Sequence, residues 1–241
     1  MSRLLLILAI VAGTTGAATA QSAAAPQSPP APQSASAAQS AARAPAASLA
    51  RPATVAKAPN QDGFLQRWLI LEPIRTNGQL TDTATKAAVK AQSPPTEPTK
   101  VPRHGDKVTI GDAQLAWHAV DTLFYNVNLY HFAYALNKPT SNVLFWVTTI
   151  VNAPRQMSDV RLAIGSNAAS IWWVNGTEVI GIFNDRQSVV DDGVSKRLTL
   201  QKGPNVIRAA ILNAGGATDF CARFLDEAGM PVKGLTVSLE N

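Results

Sequence analysis

Adjacent tryptophans and clusters of amide side chains are the groups in this sequence best suited to chemistry, and the chemistry they suit is recognition. A sugar ring presents an apolar C–H face that packs on Trp or Tyr, while its hydroxyls take hydrogen bonds from amides and carboxylates. Trp172 and Trp173 stand side by side, followed by Val174-Asn175-Gly176. On a strand the side-chain period is two, so one indole points inward and the other outward. The outward ring is a candidate platform, and it is equally a ring lying under a covering loop. Two polar sets accompany the pair. Asn126, Asn128 and Tyr130 share one side if Tyr125–His131 is extended, and Asn184, Asp185 and Arg186 follow the tryptophan hairpin with further donors and acceptors. Both sets also read as solvated loop.

Catalytic and metal-binding patterns are weaker. The three histidines are His104, His118 and His131; His118 and His131 with Asp121 match no strong ligand spacing, so no metal site is assigned. Asp191 and Asp192 before Gly193 are the oxygen donors a structural calcium would take, set against a plain solvated turn. Gly165-Ser166-Asn167-Ala168 lacks the second glycine of a nucleophile elbow and follows a strand with no helix to receive it. Asp185 and Asp192 have no identifiable partner for two-carboxylate glycoside chemistry. No catalytic residue or cofactor is assigned. Cys221 is the single cysteine, which excludes an intramolecular disulfide and reads as a small buried hydrophobe.

Composition places the recognition residues. From Met1 to Asn60 there is no Asp, Glu, Trp, Tyr or Phe, so that stretch has little with which to build a core. Residues 1–20 run from Arg3 through the apolar Leu4–Ala12 to Ala18-Thr19-Ala20, the order of a secretory signal peptide cut before Gln21. The expected protein is exported, periplasmic or secreted, with no transmembrane segment after cleavage. Residues 21–60, rich in Ala, Pro, Ser and Gln, read as a disordered linker. The net charge of +5 is misleading as a sign of nucleic-acid binding. Arg3, Arg43, Arg51 and Lys57 face no acids in this leader, and the remaining 17 basic and 16 acidic residues are nearly balanced.

The elements that must hold these residues lie in 61–241. Phe64–Leu71 reads as an apolar strand stopped by Pro73 and the Asn77-Gly78 turn. Thr81–Ala91 is the one helix expected, capped by Thr81 or Asp82, with Ala84, Ala87, Ala88 and Ala91 as its stripe. Beyond Val108 the period becomes two: Val160, Leu162 and Ile164 alternate with more polar neighbours, as do Leu198 and Leu200. Val143–Val151 and Val206–Leu212 read as longer central strands. Trp172–Ile180 reads as a hairpin turning at Asn175-Gly176, whose residues tolerate the positive φ a tight turn requires. Short strands with such punctuation indicate an all-β sandwich.

Four pieces recur in order: Leu162-Ala163-Ile164-Gly165-Ser166-Asn167, Trp173-Val174-Asn175-Gly176, Leu198–Ile207 with its Gly203-Pro204-Asn205, and Phe220–Asp226. Together with Trp68-Leu69-Ile70-Leu71-Glu72-Pro73, this succession resembles the galactose-binding-like β-sandwich. That jelly-roll module is found as a carbohydrate-binding or accessory domain beside glycoside hydrolases and acetylxylan esterases. Glu72 stands where the family has Gly, and Asn167-Ala168-Ala169 stands where such modules often carry acidic residues. The resemblance implies a non-catalytic carbohydrate-binding or accessory module with a polysaccharide or glycan partner. Polysaccharide deacetylation beside an acetylxylan esterase and an envelope protein–protein interaction module are the alternatives.

Overall fold

The computed structural model describes residues 55–240. The expected signal peptide and residues 21–54 of the expected linker lie outside that range.

Among the described residues fourteen strands and two helices follow one another. The first half comprises β1 (Arg67–Leu71), β2 (Ile74–Arg75), α1 (Asp82–Ala91), β3 (Lys107–Ile110), β4 (Ala113–Asp121), β5 (Val127–Asn128), α2 (Leu129–Ala135) and β6 (Val143–Ala153). The second half comprises β7 (Met157–Ser166), β8 (Ala169–Val174), β9 (Thr177–Ile182), β10 (Gly193–Val194), β11 (Leu198–Leu200), β12 (Gly203–Asn213), β13 (Asp219–Leu225) and β14 (Thr236–Ser238). One sheet runs β3-β4-β1-β6-β12-β8-β9, with β2 and β14 also pairing β6. The other runs β10-β7-β13-β5, with β11 also on β7. All pairings are antiparallel. The chain switches sheet between β6, β7 and β8 and again between β12, β13 and β14, giving a sandwich rather than a meander.

Trp68, Trp172 and Phe220 meet at the centre of the sandwich. Trp68 lies 6.1 Å from Trp172 and 5.0 Å from Phe220, in edge-to-face contacts that aromatic quadrupoles favour. Their polar atoms are satisfied locally: Trp68 Nε1 donates to the Leu65 carbonyl at 2.8 Å and Trp172 Nε1 to Ser170 Oγ at 2.9 Å. The larger sheet has a second apolar face. Leu69, Leu71, Leu144, Trp146, Ile171, Ala210 and Leu212 form a cluster there with Val89 of α1 and Trp117 of β4. This two-sided burial explains why β6 and β12 read as nearly unbroken apolar runs.

Several sequence expectations hold in detail. Thr81 caps α1, its side chain accepting from the Ala84 amide. Asn175 and Gly176 take φ of 51° and 83°, as the hairpin turn requires. Gly165 is explained by a close approach, since a Cβ there would sit 2.1 Å from the Val189 carbonyl oxygen.

One expectation fails. Tyr125–His131 is not extended: after the two-residue β5, Asn128 caps α2, its Oδ1 accepting from the His131 amide at 2.7 Å. The chain therefore has a second helix. Tyr130, Phe132 and Tyr134 favour strands by propensity, but the cap and the burial of Leu129, Phe132 and Ala133 on one helical face override it. Lys57, inside the stretch whose composition reads as linker, pairs with Val237 and forms a 2.8 Å ion pair with Asp121. Arg67 holds the same carboxylate at 2.8 Å.

Asn205 ties the second half together. It is fully buried, and its Nδ2 donates to the carbonyls of Gln201, Gly203 and Val151 while its Oδ1 accepts from the Gln201 amide and Asn175 Nδ2. Asn175 Oδ1 in turn accepts from the Val206 amide at 2.8 Å. Two of the motif asparagines are thus staples between the β8–β9 turn and the start of β12. Asn205→Ala is expected to destabilise the domain by about 2–4 kcal/mol, because several buried backbone groups lose their partner at once. Urea denaturation checks this; a loss below about 1 kcal/mol would mean that the network reorganises without cost.

Candidate functional site

The site lies on the outer face of the larger sheet. Trp172 and Trp173 divide as adjacent strand residues must. Trp172 is fully buried between the sheets, and Trp173 is partly exposed on the opposite face. Register then fixes the neighbours of Trp173: it stands opposite Arg208 on β12 and Glu178 on β9. Arg208 is in turn opposite Thr148 on β6, two residues from Trp146 on the same face.

A cleft of about 380 Å³ opens here, near the lower end of the roughly 300–1,000 Å³ common for ligand sites. Trp173, Trp146, Arg208 and Glu178 line it from the sheet; Lys86 and Lys90 line it from α1. Trp146 and Trp173 stack at 5.7 Å with planes inclined by 30°. Trp146 is buried beneath and anchored by its Nε1 donating to the Gln92 carbonyl at 2.9 Å, leaving Trp173 as the ring open to a ligand. The segment after α1 forms the far wall: Pro98 lies at the mouth, where its Cβ would be 3.5 Å from a Cβ at Gly176. The outward tryptophan is therefore both a platform and a partly covered residue. Larger hollows of about 500 and 460 Å³, beside Arg103 and beside Arg75, have no aromatic side chain in their linings.

The cleft is weighted toward positive charge. Lys86 is held at 2.8 Å by Asp82 one helical turn away and lies 5.4 Å over the Phe183 ring. Lys90 is exposed and Arg208 is almost wholly buried. Burial lowers the Arg208 guanidinium to about 10, which leaves it cationic at neutral pH.

The other expected site residues do not join this cleft. Asn126 Nδ2 donates to Asp219 Oδ2 at 3.0 Å, Asn128 is spent on capping α2, and Tyr130 stacks 6.3 Å from Tyr134 on that helix. Asn184 is a turn residue with φ of 70° whose amide donates to the Leu80 carbonyl. Asp185 is exposed, and Arg186 pairs with Asp192. The sequence reading grouped these residues by proximity along the chain, whereas the site is assembled across five elements, α1, β6, β8, β9 and β12. It missed Trp146, Arg208, Glu178, Lys86 and Lys90.

The weaker patterns also find places. Asp191 is bound by Arg223 and Asp192 by Arg186, so a calcium at this turn would have to displace guanidinium groups. Ser166 is fully buried and its hydroxyl donates to the Asn167 carbonyl at 3.3 Å. Cys221 is buried beside Gly165, and burial pushes its thiol up to about 11. Among the described residues no group of three or more His, Cys, Asp or Glu side chains is arranged to hold a metal.

Glu72, the residue that departs from the galactose-binding-like pattern, is an ionic hub away from the cleft. Lys138 Nζ lies 2.9 Å from its Oε2, and His118 Nε2 lies 3.5 Å from its Oε1. The His118 ring also packs against Phe132 and His104. Burial lowers its pKa below 6.5, and this outweighs the opposing pull of Glu72.

No protein-family model matches the chain, and no curated protein is similar to it in sequence. Among solved structures it is similar to the PA14 sugar-binding domain of an RTX adhesin, at 12% identity and a TM-score of 0.41 over 70% of this chain and 94% of that one. It is similar to the PA14 domain of the antifreeze protein MpAFP, at 13% identity and a TM-score of 0.42 over 70% and 89%. A third is the epithelial adhesin 9 A domain from Candida glabrata in complex with Galb1-4GlcNAc, at 11% identity and a TM-score of 0.40 over 80% and 97%. These are distant likenesses.

The His118 environment has a measurable consequence. The folded state holds this ring neutral where the unfolded chain protonates it, so its contribution is complete above pH 6.5 and is lost as pH falls through the lower folded value. Thermal unfolding should move to lower temperature between about pH 7 and pH 5, and His118→Gln should reduce that drop. Equal drops in both proteins would place the acid sensitivity elsewhere.

Proposed function

We propose that this domain is a non-catalytic glycan-binding module whose ligand seat is the cleft above Trp173. The observation that carries the reading is one partly exposed indole, backed by a buried one at 5.7 Å, in a cleft whose other polar walls are Arg208, Glu178, Lys86 and Lys90. A rigid aromatic floor supplies stacking area at little entropic cost, and the charged rim supplies hydrogen bonds to hydroxyls. The galactose-binding-like type of module belongs to the same reading, supported by the order of the motifs around Asn175-Gly176 and Gly203-Pro204-Asn205. So does export, supported by Leu4–Ala12 and Ala18-Thr19-Ala20.

Deacetylation would need an activated nucleophile in the cleft. Ser93 is the one hydroxyl among its lining side chains, and no histidine lines it. Binding therefore suits this arrangement better than hydrolysis.

Two adjacent substitutions separate recognition from folding. Trp173→Ala should lose retention on insoluble polysaccharides in pull-down assays while keeping most of the stability. Trp172→Ala should cost about 3–5 kcal/mol through the cavity it leaves between the sheets. Retention unchanged in a folded Trp173→Ala protein would remove the cleft from the account, and acetate release from acetylated xylan would replace binding by catalysis.

A further inference from the structure

Arg208 is a buried cation without a counter-charge. Its side chain leaves the middle of β12 on the outer face of the larger sheet, and the residue is 7% exposed. The guanidinium sits 4.8 Å over the Trp146 ring, and its one hydrogen bond among the described residues is a long 3.5 Å contact to Thr96 Oγ1. No carboxylate among the described residues pairs with it.

Most of the other partly buried arginines do have a carboxylate; Arg161, which reaches only the Asp226 carbonyl, is the exception. Arg67, buried to a similar degree, meets the Asp121 carboxylate through Nε and Nη2. Arg223 is paired with Asp191 and Arg186 with Asp192. Even the exposed Arg197 reaches Asp159 and Glu227. A largely buried charge with no ionic partner is costly, and a stacked indole offsets only part of that cost. Burial alone accounts for the lowered Arg208 pKa, with no neighbouring charge opposing it. The group that would complete this arginine is an anion, and the cleft it lines is the route by which one arrives. Lys86, paired with Asp82, and Lys90 add two further positive groups, against the single acidic lining residue Glu178.

We infer that the cleft takes an acidic saccharide, a hexuronate unit whose carboxylate docks on the Arg208 guanidinium while its apolar face stacks on Trp173. A planar carboxylate can accept two parallel N–H bonds from a guanidinium, a geometry that neutral sugar hydroxyls do not offer. The partly exposed Trp173 ring lies on the neighbouring strand, directly across from Arg208 in the ladder, within the span of one sugar ring. This assignment rests on the glycan-binding reading and sharpens it.

The test is calorimetric titration of the full chain with oligogalacturonate, with its methyl ester and with a sulfated heparin oligosaccharide. The acid should bind at least about tenfold more tightly than the ester, the difference expected of one charge-assisted bond. Arg208→Gln should abolish that preference while ester binding through Trp173 persists. It should also unfold no earlier than the parent, because the variant removes an unpaired buried charge rather than a paired one. Should Arg208→Gln fail to fold, the exposed Lys90→Ala and Glu178→Gln variants decide: the first should lower and the second raise the ratio of acid to ester affinity. Equal affinity for acid and ester in the parent would overturn the uronate assignment and leave glycan binding standing. Tighter binding of the sulfated oligosaccharide than of oligogalacturonate would overturn it in favour of a sulfate-selective site. Ester and acid both failing to bind would remove the glycan reading itself.

Discussion

The pairing of β6 with β12 is the beam on which everything else is hung. Eleven residues of each strand are in register, from Gly203 opposite Ala153 to Asn213 opposite Val143. A ladder this long at the centre of a sheet buries side chains on both faces, and each face must then be covered. The smaller sheet covers one with Phe220, Phe224, Leu162 and Ile164. On the other, α1 lies over the sheet with Val89, while β3 and β4, at the edge of the same sheet, add Ile110, Leu115 and Trp117 to that face. That second cover is shorter than the sheet beneath it. Where it ends, Trp173 is left half clothed, and the cleft is the gap.

The beam also explains why the charge in the cleft is so firmly placed. Arg208 is held by ladder pairing on both sides, to Thr148 and to Trp173, so its backbone cannot swing away toward water. The side chain is confined between Trp146 and the segment around Thr96. Binding modules gain from such fixed groups because less freedom is lost when the ligand arrives. The same rigidity makes the arginine a burden on stability until an anion joins it.

Much of the scaffold was legible in the sequence, because period-two alternation, the Asn175-Gly176 turn and the Thr81 cap are local signals with local causes. The second helix was not. Its residues carry strand-favouring aromatics, and the asparagine that caps it is equally a turn residue. The site was half legible. Trp172 and Trp173 announced that one indole faces outward, but not which. Trp146 was hidden inside a strand whose other residues are almost all apolar, and Arg208 lies within Val206–Leu212, a run read for its hydrophobicity. A single arginine in such a run is the signal that could have pointed to a buried cation. Its partners across the sheet needed strand register to be known. The amide-rich segments failed as site candidates for the opposite reason: Asn126 is tied to Asp219 on β13 and Asn128 caps α2.

The central claim is that ligand recognition occurs on the outer face of the larger sheet and leaves the interior between the sheets untouched. The five tryptophans make this directly observable, since each gives one indole N–H resonance. In a two-dimensional ¹⁵N–¹H NMR titration with oligogalacturonate, the account predicts that the Trp173 and Trp146 indole signals and the Arg208 side-chain signal shift together, while those of Trp68 and Trp172 stay in place. Saturable shifts confined to the smaller sheet or to the loops around Asn126 and Asn184, with Trp173 unmoved, would contradict it.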